Sequence, residues 1–225
     1  MVFVLTNDDG IDAPGLRSLQ KAVGDHAVIV APKHHYSGCG HQVTTHQPIH
    51  VEERAPGEFA VDGTPADCTR VALRHLYPEV KWVISGINAG GNLGSDVYTS
   101  GTVAAVREAT FHRIPGIAIS QYIHKKREID WELATRLAMR VLEHLLTLPL
   151  EAGSFWNVNL PHLDADTPEP KIVFCHLCTQ PLPVAYRLDG NHLYYIGDYN
   201  QRARDPGSDV ETCFSGNIAV TQMRI

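Results

Sequence analysis

What the chain lacks narrows its function before any motif is read. No apolar run approaches the roughly 20 residues that a membrane-crossing helix needs. Cations are in the minority, with 19 Lys and Arg against 25 Asp and Glu and a net charge of −6. That balance excludes a protein that grips a nucleic-acid duplex through a broad basic surface, although a small phosphate pocket remains compatible with it. Cysteines number five, an odd and scattered set (Cys39, Cys68, Cys175, Cys178, Cys213). They read as reduced thiols, not a disulfide framework. Too little chain precedes Asn7 for a signal peptide, so the expected compartment is the cytoplasm. Internal repeats and low-complexity stretches are missing as well.

At 225 residues the chain can bury a sizeable core. Val2-Phe3-Val4-Leu5-Thr6 is continuously apolar up to Thr6, which suits a strand covered on both faces by helices. Ala27–Ala31, Trp82–Ser85, Ile114–Ser120 and Phe155–Pro161 repeat this character, the last as a candidate final strand of the sheet. Amphipathic helical segments alternate with them: one after Pro14, one from Thr64 to about Leu76, and the longest from Asp130 to about Thr147. This alternation predicts a doubly wound, mostly parallel α/β sheet. Val43–Thr45, Ile49–Val51 and Phe59–Val61 read as short strands.

Composition shifts after Pro161. Thr167-Pro168-Glu169-Pro170 reads as a stiff connector, and Lys171 to about Ile196 as an extended hairpin turning at Asp189-Gly190-Asn191. The expected division is a catalytic α/β region over 1–165 and an appendage of the same domain over 166–225, carrying subunit contacts. The lone Cys175-His176-Leu177-Cys178 has no second pair and reads as packing.

Chemistry concentrates where strands end. In open parallel sheets ligands bind beyond the carboxyl ends of the strands. Asn7-Asp8-Asp9-Gly10 follows the first strand there. Two adjacent carboxylates repel, and a hard divalent cation with oxygen ligands relieves that repulsion. The plainer alternative is a tight turn with one Asp capping the next helix. The loop Lys33–His41 can face the same crevice, but adjacent His34 and His35 lack a zinc-type spacing and read as solvated. Gly86–Gly94 holds four glycines without the dinucleotide spacing and with no helix directly after it. Ser100-Gly101-Thr102 then delivers a helix N-terminus whose free amides suit a phosphate, or are simply capped.

Thr6–Ile11, Ala13–Gly15, Ala31-Pro32 with Ser37-Gly38, Gly63–Cys68, Ser85–Gly90, Asn92–Gly94 and Ser100–Ala104 together resemble the SurE family of metal-dependent 5'/3'-nucleotidases. The resemblance runs in order over roughly the first 160 residues and returns at Gly207-Ser208-Asp209 and Asn217–Val220. It implies one Mg²⁺ or Mn²⁺ per subunit held by Asp8, Asp9, Ser37 and Asn88. It implies a phosphate loop of Asn92, Ser100, Gly101 and Thr102, with Asp8, Asp9 and Asn92 as the catalytic set. It also implies a nucleoside monophosphate as substrate and a homodimer or homotetramer. A metal-activated water attacking phosphorus in line agrees with an all-oxygen donor set. Two other readings compete. A haloacid-dehalogenase-type phosphatase would space its two Asp by one residue, whereas here they are adjacent. A phosphate-sensing protein without turnover has no need of two carboxylates.

Overall fold

The computed structural model describes every residue except Met1, His26, Ala165 and Asp166. Eleven strands are present among the described residues: β1 (Phe3–Thr6), β2 (Ala27–Pro32), β3 (Val51–Ala55), β4 (Glu58–Val61), β5 (Trp82–Ala89), β6 (Gly116–Gln121), β7 (Ser154–Leu160), β8 (Ile172–Phe174), β9 (Tyr186–Asp189), β10 (His192–Tyr195) and β11 (Ile218–Arg224). The helices are α1 (Pro14–Val23), α2 (Pro65–Val71), α3 (Gly101–Phe111), α4 (Trp131–Leu145) and α5 (Asp209–Phe214). Nine strands form one sheet in the order β3-β4-β2-β1-β5-β6-β7-β11-β8. Its centre, β4 to β7, is parallel throughout.

Alternation along each central strand sorts the core into two layers. Leu5, Ile29, Ile84, Ile117 and Val158 face one side, where Leu16 and Leu19 of α1 and Leu137 and Val141 of α4 cover them. Val4, Val30, Val83, Ala118 and Phe155 face the other, beneath Cys68 of α2 and Val103 and Val106 of α3. Both faces of β1 are thereby buried, as its continuous apolar run predicts. Caps also match the sequence: Thr64 and Asp67 close a reciprocal capping box on α2, and Ser100 and Asp130 accept from the amides of Val103 (3.1 Å) and Leu133 (2.9 Å). A π-turn, Ala72–Leu76, continues α2 to the expected end.

Several expectations are corrected. Val43–Thr45 is not a strand, because the Thr44 amide and hydroxyl both bind the Asp67 carboxylate (2.9 and 2.7 Å) in place of a neighbouring strand. Asp96 accepts from the Leu93 amide (3.2 Å), so a 3₁₀ turn, Gly94–Tyr98, follows the glycine-rich loop directly. β7 is not the last strand, since β11 pairs antiparallel beside it with Ala219 opposite Asn159. The segment from Lys171 is not one long hairpin. Its first run becomes β8 on the edge of the main sheet, parallel to β11. Only β9 and β10 form the hairpin, with His192 opposite Asp189. The Pro168-Glu169-Pro170 part of the connector lies against α4, where Arg140 holds Glu169 (2.9 Å) and the Pro170 carbonyl (2.8 Å). The expected boundary at 165/166 lies outside the described residues. No helix among the described residues is long and apolar enough to cross a membrane.

Candidate active site at the carboxyl edge of the sheet

Asn7 folds the turn after β1: its amide donates to the Gly10 carbonyl (2.9 Å) and its carbonyl oxygen accepts from the Gly10 amide (3.2 Å). The turn is thus satisfied without Asp8 or Asp9, which leaves both carboxylates for other work. Asp8 is only 3% exposed and accepts a hydrogen bond from the Thr102 hydroxyl. At Gly101 a Cβ would lie 3.0 Å from Asp8 Oδ2 and 3.0 Å from Cys39 Sγ, so the start of α3 is pressed against the carboxylate. Asp9 accepts from the Ala89 amide (3.2 Å) and lies 3.5 Å from His35 Nδ1.

Asn88 arrives beside Asp9 because β5 is irregular. Its pairing with β6 shifts register between Ser85 and Asn88, and Gly86 has φ +138°, a conformation that favours glycine. The Asn88 amide donates to the Gly90 carbonyl (2.7 Å), which leaves its own carbonyl oxygen available. Ser37 is exposed on a turn pinned at two points: the Tyr36 amide donates to the Asp8 carbonyl (2.7 Å) and the Gly40 amide to the Thr99 carbonyl (3.0 Å). Two loops and the end of β5 therefore bring Asp8, Asp9, Ser37 and Asn88 to the same edge, with Thr102 on Asp8. Asn92 is engaged differently. Its amide donates inward to Ser120 Oγ (2.8 Å), and its hydrogen bonds run to β6 and β7, not to the acidic pair.

Burial raises the Asp8 pKa above its ordinary value; the Thr102 hydrogen bond opposes this and the Asp9 charge reinforces it. Burial, with the Asp8 charge, pushes the Cys39 thiol up to about 11, so it stays protonated. Among the described residues neither Asp8 nor Asp9 is paired with a Lys or Arg. A cation would relieve a buried carboxylate in this state. No three His, Cys, Asp or Glu side chains gather as a metal cluster among the described residues, so the remaining donors would be neutral oxygens. That donor set fits a hard divalent ion.

The sequence profile of the family described as "Survival protein SurE" matches residues 3–182. This chain belongs to the SurE family. The protein named "Putative 5'-nucleotidase alr3139" of Nostoc sp. is 58% identical over 226 residues, covering 100% of both chains. "5'-nucleotidase SurE" of Geotalea daltonii is 35% identical, covering 100% of this chain and 93% of the other. The crystal structure of the SurE protein from Aquifex aeolicus superposes with a TM-score of 0.86 at 29% identity, covering 100% of this chain and 93% of that one.

Reading the sequence alone missed several residues around this SurE edge. Asn157 and Asn159 are fully buried on β7 and grip the Asn92 backbone. A polar pair at period two inside a strand that reads as core was the available signal. Glu108, 2% exposed on α3, is the other. It binds Arg70 (2.7 Å), His41 (2.8 Å) and His112 (3.2 Å), tying the loop that carries Ser37 to the helix that begins at Gly101. Burial alone would raise its pKa, but His41 and Arg70 outweigh this and hold it at about 2.

Proposed function

We propose that this chain is a metal-dependent nucleotidase that hydrolyses nucleoside 5'-monophosphates, and 3'-monophosphates at the same centre, to nucleoside and phosphate. The observation that carries the reading is the apposition of the buried Asp8 carboxylate, beside Asp9, to the Gly101–Thr102 start of α3. Asp8, Asp9, Ser37 and Asn88 would hold Mg²⁺ or Mn²⁺. When bound, such an ion acidifies a water and offsets charge on the phosphoryl group.

The remaining work falls to the chain itself. The first intrahelical bond of α3 runs from the Ala104 amide to the Ser100 carbonyl (3.1 Å), so the amides of Gly101 and Thr102 precede the ladder. With the helix dipole they can take two phosphate oxygens. Ser100 accepts from Val103 and keeps its own proton to donate. The carboxamide of Asn92 spends one proton on Ser120 and retains the other. Beside Gly90 and Gly91 opens a cleft of about 610 Å³ walled by Ile123, Lys126, Tyr199 and Asn200. Its size and mixed walls suit the nucleoside.

Assembly as a homodimer or homotetramer is supported by the β9–β10 hairpin, whose Leu188 and Leu193 are 68% and 64% exposed. All five cysteines are unpaired, in keeping with a reducing cytoplasm. A test is phosphate release from a panel of nucleoside monophosphates with Mg²⁺ or Mn²⁺. Asp8→Asn and Asp9→Asn should each lose at least ~10²-fold in rate. Full activity in excess chelator would refute the metal dependence, and binding of nucleotide with no turnover would leave a sensing protein as the better description.

A further inference from the structure

Loops usually give their backbone polar groups to water. Here each one from the Asn92 amide to the Gly94 amide is taken by a side chain. The Asn92 amide donates to Asn159 Oδ1 (2.7 Å), and its carbonyl accepts from Asn157 Nδ2 (2.9 Å) and Asn159 Nδ2 (3.0 Å). The Leu93 amide donates to Asp96 Oδ2 (3.2 Å), and its carbonyl accepts from Arg202 Nη2 (3.3 Å). The Gly94 amide donates to Asp209 Oδ2 (2.7 Å).

These holders are themselves held. The Arg202 side chain has no exposed surface; it donates to Asp96 Oδ2 (2.9 Å) and lies 4.9 Å over the Tyr199 ring. The Tyr199 hydroxyl donates to the same oxygen (2.5 Å). Asp209 accepts through its other oxygen from the amides of Cys178 (2.7 Å) and Val210 (2.8 Å). At Gly94 a Cβ would lie 2.9 Å from Arg202 Nη2 and 2.9 Å from the Cys178 carbonyl, so the C-terminal segment moulds the loop at contact distance. Burying Arg202 and Asp209 is costly unless their charges are matched, and part of that matching comes from the backbone of this loop.

We infer that Arg202 and Asp209, acting with Asn157 and Asn159, are positioning residues that set the Asn92 side chain for the substrate phosphate. The inference deepens the proposed activity and rests on the role given there to Asn92. The segment after β10 is then part of the catalytic scaffold, and its contribution is separable from assembly. A loop fixed in this way presents its amide proton without reorganising when substrate arrives.

The test uses the full chain with Mn²⁺. In Asp209→Asn the shape is kept, but one end of the side chain becomes a donor and can no longer accept from both Gly94 and Cys178. Arg202→Lys keeps the charge and loses the fork that reaches both Asp96 and the Leu93 carbonyl. Measured are kcat and KM for a nucleoside 5'-monophosphate, the inhibition constant of inorganic phosphate, Mn²⁺ affinity by direct titration, and thermal unfolding. Both variants should lose about 10- to 100-fold in kcat/KM and bind phosphate about tenfold more weakly, with Mn²⁺ affinity changed less than about twofold. Folded variants that keep wild-type phosphate inhibition and kcat/KM overturn the inference, and so does a loss that tracks weakened Mn²⁺ binding. If neither folds, Asn157→Ala decides, because it removes one of the two side-chain donors on the Asn92 carbonyl: the same loss with unchanged Mn²⁺ affinity supports positioning and no loss refutes it. Asn92→Ala separates the two levels. Wild-type behaviour there removes the premise about Asn92, whereas a loss there with normal Asp209→Asn overturns the positioning alone.

Discussion

Gly101→Ala is the most economical probe of the proposed site, because one methyl enters between the start of α3 and the Asp8 carboxylate. Its Cβ would sit 2.8 Å from Asp8 Cβ, 3.0 Å from Asp8 Oδ2 and 3.0 Å from Cys39 Sγ. Carbon atoms pack best at about 3.5–4.0 Å, so something must yield by roughly half an ångström or more. Asp8 has little room to retreat, since its carbonyl is bound by the Tyr36 amide (2.7 Å) and its side chain by Thr102. Overpacking of this kind costs about 1–3 kcal/mol, against which alanine returns up to about 1 kcal/mol of helix preference. For a chain of this size the net corresponds to a fall in Tm of no more than about 12 °C. Activity should suffer far more, on the order of 10²-fold, because the amides proposed to hold phosphate and Asp8 are pushed apart. Phosphate release and a circular-dichroism melt on the same preparation read both quantities. A folded Gly101→Ala protein within about twofold of wild-type activity would refute the apposition as the reactive centre.

Thr102→Val removes the donor on the buried Asp8 carboxylate and should cost about 1–3 kcal/mol in transition-state binding; Ser100→Ala should cost less if its hydroxyl is only a cap, and the two are compared by kcat/KM. Glu108 has a folded pKa of about 2, below its ordinary 4.5, so its contribution is present above pH 4.5 and is lost as pH falls toward 2. Glu108→Gln should therefore be less stable than wild type at pH 7, by at most about 3 kcal/mol, with the gap closing across that window in urea titrations; a gap independent of pH would contradict the assignment. Replacing 184–196 by a short Gly-Ser link should lower the mass in solution while Mn²⁺ affinity stays within about twofold; an unchanged oligomer would show that the hairpin is not the interface.

The central sheet was legible because its strands carry uninterrupted apolar runs, a local signal that needs no tertiary information. Helix starts were legible for the same reason, since Thr64, Ser100 and Asp130 announce caps within their own turn. The acidic pair stood out locally, but a tight turn with a capping Asp accounts for it equally well from sequence, and only the ordered set of further motifs pointed to a candidate site there. What escaped was long-range. Residues 42–45 look extended, but the Asp67 that takes up the Thr44 amide and hydroxyl is more than twenty residues away. Ile172–Phe174 reads as half a hairpin until β11, contributed by the last residues of the chain, is there to pair with it. Arg202 and Asp209 each look like ordinary surface charges, because the loop atoms they hold are about a hundred positions distant, and Asp96 does so because Arg202 and Tyr199 are equally far along the chain.

One row across the sheet accounts for where the candidate site sits. Thr6, Ser85, Ala118, Asn157 and Thr221 are in register on five neighbouring strands, one step before the carboxyl edge. Two residues earlier, Val4, Val83 and Phe155 occupy the same face and belong to the apolar layer under α2 and α3. The face thus changes from apolar to polar within a single repeat of the pleat. Ser85 Oγ and Asn157 Oδ1 are buried there without a hydrogen-bond partner among the described residues, a cost of about 1–3 kcal/mol each. Alanine or valine would have been the more stable choice for a sheet that had only to pack. The same strands continue into Asp8, Asn88 and Asn92 of the candidate site, and the proposed function asks that these polar groups be held rigidly. Stability spent at the carboxyl end is recovered toward the amino end, where Val4, Val83 and Phe155 are buried in the apolar layer. That separation lets the fold tolerate a raised Asp8 pKa and a loop clamped by buried charges without losing its core.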